Sequence, residues 1–465
     1  MPRQKKRTPK TGVDMSAHFS IPALLKYTAP SMGMMIFVAI YEVVDGFFVS
    51  NYVSSTALAA VNLAYPVFLI LGTLGYMMGT GGSAIVARTY GEGNPKRANE
   101  LFSLFVYASI AGGLAFTVIG IPLLPLLFTA MGAQGELLEL SVAYGTILMF
   151  GLVLDVLQYI FQNLTMAAGK PKVGFWSTVA AGVTNIVLDA LFVGVLGWGI
   201  EGAAIATVAG LAFGGLIPLV YFLLPNSSML RLGRCALDWR ALRAAAANGS
   251  SEMVSNIAMS LVAVVYNIQL LKFIGEPGVA AYGVIGYVAL VFAGVFMGYS
   301  VGAAPLMSFQ HGNGNKAEMA SLFRKGVLIM AVGGLIMFAL TRIAAAPLAM
   351  LFVSYDQSLM ELTVHAFSIY STAFLLMGLN MYASSLFTSL SNGGVSAALS
   401  FMRSLVFEIG CAFLLPLALG PDGIWYSVIV AEVLALAMSA AAVIWLGPVY
   451  GILPRKKGST GPVEP

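Results

Sequence analysis

The sequence predicts an all-α integral membrane protein in which two six-helix halves repeat one another. Hydrophobic residues make up 59% of the 465 residues and charged residues only 9%, with a mean hydropathy of +0.87. A soluble domain carries about 25% charged residues. About twelve apolar runs reach the roughly 20 residues that a helix needs to cross a bilayer. Motifs of the first half also return in the second.

Helices are expected in these runs because a chain in hydrocarbon must pair its backbone groups within each segment. The runs are too long and too continuously apolar for the alternating strands of a membrane barrel. The expected spans are 21–50, 56–86, 100–128, 138–168, 172–196, 200–224, 241–274, 279–307, 320–346, 359–390, 394–418 and 424–447.

The internal repeat is visible as a nearly constant offset between similar segments. Residues 79–102 resemble residues 298–323, and an offset of 221 places Gly91 on Gly312. Later in each half the offset becomes 224. If both halves begin on the same side, they are parallel repeats about an axis along the membrane normal, and transporters of this kind bind their substrate between the repeats.

The basic residues predict the orientation. Of the 24 Lys and Arg residues, 22 fall in segments assigned to one side of the membrane, so the positive-inside rule places both termini in the cytoplasm. The predicted domains are a basic N-terminal tail (1–20), a first lobe (21–224), a linker (225–240), a second lobe (241–447) and a C-terminal tail (448–465).

Residues Asn185 and Asp189 form the most informative polar pair, because residues four apart share one face of a helix. Their neighbours are apolar, and a carboxylate at the bilayer centre costs about 2.5 to 3.5 kcal/mol on insertion scales. At a rise of about 1.5 Å per residue, Asp189, Thr207 and Asp45 lie at one depth. A cation or proton site is one interpretation of this set; a buried Asp that bridges two helices for structural reasons is the other.

The repeat offers an internal control for this choice. The offset places Asp45 on Tyr266 and Asp189 on Phe413. The second half is therefore built without these carboxyl groups, and the cation chemistry is expected in the first lobe. Other acids within the spans are Glu42, Glu408 and Glu432, of which the last two are interpreted as structural.

A second set of residues is a candidate cavity lining or proton relay. Asp155, Gln158 and Gln162 follow i, i+3, i+7 spacing and form one polar stripe on the fourth span. Glu252 stands in the seventh span as the candidate of the second lobe. An equally weighted alternative makes Glu252 a structural residue that is hydrogen-bonded to Asn256 or Ser255.

These residues resemble the multidrug and toxic compound extrusion (MATE) family, on its bacterial multidrug export side. The resemblance covers about residues 21–445 and is carried by Pro30 with Asp45, by NIVLDALFV and GIEGAAIAT within 185–207, and by GPDGIWYSVIVAE at 420–432. It implies two six-helix lobes around a V-shaped cavity that alternates across the membrane. Export of amphipathic, often cationic drugs would be driven by inward movement of Na⁺ or H⁺.

By motif position, the resemblance also implies roles for individual residues. Pro30 would be the conformational hinge of the first helix. The sequence departs from the family pattern at Ala190, where Pro often follows the Asp of the fifth helix, and at Gln162, where Asn is expected. The choice between Na⁺ and H⁺ therefore stays open. The implied cation or proton site consists of Asp45, Asn185, Asp189 and Thr207, with Na⁺ as the one metal ion considered.

Two other functional classes remain open. A lipid-linked precursor flippase would share the two lobes but should line its cavity with basic residues, which are almost missing from the spans. For an enzyme, the sequence shows no catalytic motif, and Cys235 and Cys411 lack metal-site spacing. The expected partners are the lipid bilayer and small drug-like molecules, with no nucleic acid and no cofactor. The expected protein is a monomer in the bacterial cytoplasmic membrane.

Overall fold

The computed structural model describes residues 14–53, 55–353 and 356–454. Within these ranges the regular elements are all helical, and twelve helices are long and apolar enough to cross a membrane. The predicted fold class and number of spans are confirmed. The helices are α1 (Ile21–Tyr52), α2 (Ser55–Gly91), α3 (Pro95–Ala130), α4 (Gly135–Ala167), α5 (Pro171–Val195), α6 (Gly199–Leu223), α7 (Trp239–Phe273), α8 (Glu276–Gly312), α9 (Lys316–Val353), α10 (Gln357–Ser389), α11 (Gly393–Leu419) and α12 (Asp422–Tyr450).

Several helices extend beyond the apolar runs that predicted them, because a helix does not end where the hydrocarbon ends. Helix α8 continues past the predicted end at residue 307 to Gly312. Helix α7 begins inside the predicted linker, at Trp239, where the Asp238 side chain accepts hydrogen bonds from the backbone N–H groups of Arg240 and Ala241, both at 3.0 Å. This N-cap satisfies donors that a helix start leaves free.

The two lobes contact each other near the end of the molecule that carries the α2–α3 turn, the α8–α9 turn and the α6–α7 linker. We name it the basic end, because most of the described Lys and Arg residues lie there. A Cβ atom on Gly91 would lie 2.1 Å from the carbonyl oxygen of Phe309, and one on Gly312 would lie 2.0 Å from that of Arg88. Because both partners in each contact are 221 residues apart from their counterparts, the contact has pseudo-twofold symmetry.

Helices α5 and α11 each contain a π-helical segment, but at different heights. In α5 it covers Ala190–Val195, directly after Asp189, and in α11 it covers Met402–Phe407. A π turn holds one more residue than an α turn, so the two helices are out of register between these segments. Asp189 is fully buried and Phe413 is 47% exposed, and the correspondence of these two positions stays a prediction.

Candidate functional site

A cavity of about 300 Å³ lies within the first lobe, between α1, α2, α4, α5 and α6. Three carboxyl groups line it, those of Glu42, Asp45 and Asp155. The described lining contains no Lys, Arg or His side chain. A small polar space with several acids and no base favours a positively charged occupant, because the like charges of the acids destabilise one another.

The acids of α1 and α5 meet at one side of this cavity. The carboxyl groups of Asp45 and Asp189 are neighbours that interact electrostatically, with the Asn185 side chain beside them. Both carboxyl oxygens of Asp189 and Oδ1 of Asp45 are buried, and none accepts a hydrogen bond from a described residue. Two ionised carboxylates offer only acceptors. They can therefore pair only through a shared proton or a cation.

Beside the Asp45–Asp189 pair, α6 packs closely on α5. A Cβ atom on Gly210 would lie 2.8 Å from the carbonyl oxygen of Ala181 and 3.1 Å from Cβ of Asn185. Glycine is needed there because any side chain would push α6 away from the amide. Burial of Asn185 leaves its Oδ1 atom without a hydrogen-bond donor among the described residues, so this oxygen is available as a ligand.

Thr207 lies on α6 one turn before this contact and lines the cavity. Its hydroxyl donates to the carbonyl oxygen of Ala203 at 3.0 Å. The proton is thus directed along the helix, and the oxygen lone pairs remain free to accept. Thr207 can act as an oxygen ligand but not as a donor to the acids.

The three residues of the polar stripe on α4 do not all line the cavity. Asp155 and Gln158 line the cavity, and the Gln158 amide donates to the hydroxyl of Tyr41 at 3.4 Å. Gln162 does not belong to the cavity lining; it is 2% exposed, and neither of its amide atoms has a described hydrogen-bond partner. The predicted stripe of three is therefore two cavity residues plus one residue packed between helices.

Glu252 lies outside this cavity, on α7 of the second lobe. Asn256 donates to its backbone carbonyl oxygen at 2.9 Å and not to its carboxyl group, so the predicted structural bond of the side chain is not formed. Glu252 and Arg403 are close enough to interact electrostatically. One turn before Glu252, a Cβ atom on Gly249 would lie 1.9 Å from the carbonyl oxygen of Met77 on α2, so this part of α7 packs on the first lobe.

Sequence reasoning gave no role to several lining residues. Glu42 precedes Asp45 by three residues, and this spacing puts both on one helix face, a signal that could have identified it. Tyr65 and Tyr159 also line the cavity. The ring of Tyr159 stacks on that of Tyr76 with centroids 3.9 Å apart. Aromatic faces beside carboxylates attract organic cations.

Helix α1 stays helical through Pro30 and packs on α8 of the second lobe beyond it. A Cβ atom on Gly302 would come within 2.3 Å of the Ser31 hydroxyl, and one on Gly294 would lie 3.1 Å from the carbonyl oxygen of Met35. The same part of α1 also meets α5, where a Cβ atom on Gly33 would lie 3.0 Å from the ring of Phe175. Pro30 therefore lies within the part of α1 that contacts the second lobe, before the part that carries Asp45.

Comparisons with known proteins agree with this architecture. The MatE family model matches the chain twice, over residues 30–191 and 253–414. The multidrug export protein MepA of Staphylococcus aureus (strain MRSA252) is 23% identical over 429 residues, which cover 91% of this chain and 93% of that protein. MepA of Staphylococcus haemolyticus (strain JCSC1435) is 23% identical over 411 residues, covering 88% and 90%.

A solved structure shows the same fold. It is described as the outward-facing conformation of a multidrug resistance MATE family transporter of the MOP superfamily. The superposition has a TM-score of 0.88 at 23% identity and covers 93% of this chain and 97% of that chain. One family model fits both halves of the chain, which agrees with the repeat read from the sequence.

Proposed function

The chain belongs to the MatE family, and from this premise we propose that it exports amphipathic organic cations in exchange for Na⁺ or H⁺. The acid-lined cavity with its unpaired Asp45–Asp189 pair supports the proposal most strongly. Two facing carboxyl groups change charge when a proton or cation binds, and a cationic drug prefers the unloaded, negative state. Ion and drug therefore favour opposite states, which exchange requires.

The proposed ion site consists of Asp45, Asp189, Asn185 and Thr207. These side chains offer at least four oxygens near one point, and oxygen ligands suit Na⁺ as a hard cation. A shared proton between the two carboxyl groups would use the same pair, with Asn185 and Thr207 tuning it. We favour Na⁺ slightly, because a proton does not require four ligands.

The remaining predicted residues receive auxiliary roles. Asp155 and Gln158 extend the cavity away from the ion site, and Glu42 adds a third carboxyl group. We propose that these contact the drug. Glu252, on the part of α7 that packs on α2, would contribute from the second lobe, and Pro30 would be the hinge of α1, because proline lacks one backbone hydrogen bond.

We further propose that the protein lies in a bacterial plasma membrane with its basic end in the cytoplasm. The positive-inside rule supports this orientation, and the similar MepA proteins are bacterial. Both termini would then be cytoplasmic. A lipid-linked precursor flippase is less consistent with the cavity, since a pyrophosphate needs basic groups and the described lining contains acids instead.

Uptake of tetraphenylphosphonium into everted membrane vesicles tests the proposal. A Na⁺ gradient and a proton gradient are imposed separately. We expect Asp189→Asn to abolish gradient-driven uptake while the protein remains folded and inserted, because the variant cannot change charge. The matched control is Glu201→Gln, which removes an exposed acid from the same lobe. Normal uptake by a well-expressed Asp189→Asn protein would refute the assignment.

A further inference from the structure

The residues that precede α1 pack on the second lobe, although α1 carries a residue of the first-lobe site. We name residues 15–19 the strap. Its side chains Met15 and Phe19 are 2% and 5% exposed and join the hydrophobic core of the second lobe. The predicted N-terminal tail over 1–20 therefore ends in a segment whose two large apolar side chains are buried, while residues 16–18 are exposed.

The backbone of the strap is held by side chains of the second lobe. Gln310, near the end of α8, donates to the carbonyl oxygen of Met15 at 2.7 Å. The N–H group of Phe19 donates to Oε1 of Glu318 on α9 at 3.1 Å. The Lys325 ammonium group donates to the carbonyl oxygen of Phe19. Three side chains from two helices thus bind one short peptide.

The strap also supplies the partners of Glu318, whose carboxyl group is buried in the second lobe. His18 Nδ1 lies 2.5 Å from Oε2 of Glu318, and His18 Nε2 lies 3.3 Å from Lys325 Nζ. Glu318 is 6% exposed, and each of its carboxyl oxygens has a partner in the strap. Without the strap, a buried carboxylate would lose both partners, which is among the most unfavourable changes in a protein interior.

The corresponding attachment to the first lobe is much weaker. Close to the strap, the hydroxyl of Tyr27 on α1 donates to the carbonyl oxygen of Met166 on α4 at 2.9 Å. This is a single bond between neutral groups. Bonds that involve charged groups are roughly twice as strong as neutral ones. When the lobes separate at the basic end, the contact of Tyr27 with α4 should break first.

We propose that the strap anchors the first part of α1 to the second lobe throughout the transport cycle. The part of α1 that carries Asp45 stays with the first lobe, where Asp45 faces Asp189. Helix α1 then connects the ion site to the opposite lobe, and lobe movement must flex it between the strap and Asp45. The inference rests on the proposed exchange mechanism, because only that mechanism requires the lobes to part.

Chemical crosslinking distinguishes a strap that stays bound throughout the cycle from one that must release. In a protein with Cys235→Ser and Cys411→Ser, the pair His18→Cys and Glu318→Cys is joined by a short thiol-specific crosslinker after folding. The matched pair Tyr90→Cys and Phe309→Cys joins α2 to α8 directly at the basic end, where the two rings are 6.2 Å apart. Tetraphenylphosphonium transport in vesicles is measured before crosslinking, after it, and after a reducing agent cleaves the linker.

If the strap is an anchor, the 18–318 crosslink should leave the transport rate within about twofold of that of the reduced protein. The 90–309 crosslink should lower the rate by about tenfold or more, and reduction should restore it. If the 18–318 crosslink blocks transport as the 90–309 crosslink does, the strap must release and the anchor is refuted. If the parent protein with Cys235→Ser and Cys411→Ser, which keeps His18 and Glu318, does not transport at all, the exchange function itself fails. If the 90–309 crosslink leaves transport unchanged, the lobes do not part at the basic end, and the anchor has no role.

Discussion

Each lobe contains a buried carboxyl group, and the two groups differ in their hydrogen bonds. Glu432 on α12 is 4% exposed. Its Oε1 atom accepts from Arg403 at 2.7 and 3.0 Å, and its Oε2 atom accepts from Asn380 at 2.6 Å. Asp189 on α5 is fully buried, yet neither oxygen accepts a hydrogen bond from the part of the chain that the structure describes; it faces Asp45 instead.

This difference separates a structural acid from one that is suited to bind an ion. A carboxylate that is already paired with Arg403 and Asn380 gains little from a proton or Na⁺ and loses its partners if it is removed. An unpaired carboxylate beside a second one gains strongly from either ion. The paired group should therefore control stability, and the unpaired group should control transport.

The largest expected effect on stability is that of Glu432→Gln. The variant removes the carboxylate that pairs directly with the Arg403 guanidinium, whose side chain is only 22% exposed, and leaves Glu408 as the nearby acid. Breaking such a pair from one side typically costs about 3–5 kcal/mol. Asp189→Asn should cost far less, because it breaks no hydrogen bond to a described residue and removes a like charge. Thermal unfolding in detergent, followed by intrinsic fluorescence, compares the two variants.

The double variant Arg403→Gln and Glu432→Gln is the control for this comparison. It removes both charges together, so it should recover part of the stability that Glu432→Gln loses. If Glu432→Gln proves as stable as Asp189→Asn, the contrast between the lobes is not one of paired and unpaired charge.

A smaller effect is expected when the uncharged ligands of the ion site are removed. Asn185→Ala combined with Thr207→Ala takes away two oxygens but leaves both carboxyl groups. We expect loss of Na⁺-driven transport and retention of much of any proton-driven transport, because a shared proton does not need these oxygens. Vesicle assays with each gradient alone provide the measurement. Equal loss of both activities would contradict the expectation that only Na⁺-driven transport needs the oxygens of Asn185 and Thr207.

The smallest effect concerns an exposed acid outside the membrane. The backbone N–H of Ala241, and after it Arg97, lower the pKa of Asp238, which caps α7. A lowered pKa in the folded state means that the stabilisation is present above the unfolded pKa of about 3.9 and is lost as the pH falls below it. Asp238→Ala should destabilise the protein slightly at pH 7 and not at pH 3. An equal effect at both pH values would show that the charge of Asp238 does not contribute.

Much of the fold could be predicted from the sequence, because its signals are local or periodic. Apolar length predicted twelve spans, and the offset that relates Gly91 to Gly312 predicted the repeat that the lobe contact shows. The two π-helical segments were not predicted, because the position of a π turn is set by packing and a constant offset does not reveal it.

The candidate site was predicted in part for a similar reason. Asp45 and Asp189 are conspicuous in apolar spans, and the structure brings them together. The pairing of Arg403 with Glu432 joins separate helices and depends on how they pack. The strap was missed because its partners lie about 300 residues further along the chain, and a basic segment before the first span has the composition of a solvated tail.

The central claim is that drug and coupling ion compete for the Asp45–Asp189 pair. Its most direct test measures the ions that leave purified protein when tetraphenylphosphonium binds, with a pH electrode in weakly buffered detergent solution and with radioactive Na⁺ in a parallel sample. The account predicts release of protons or Na⁺ from the unaltered protein and from Glu201→Gln, and none from Asp189→Asn. Equal release from Asp189→Asn would contradict it.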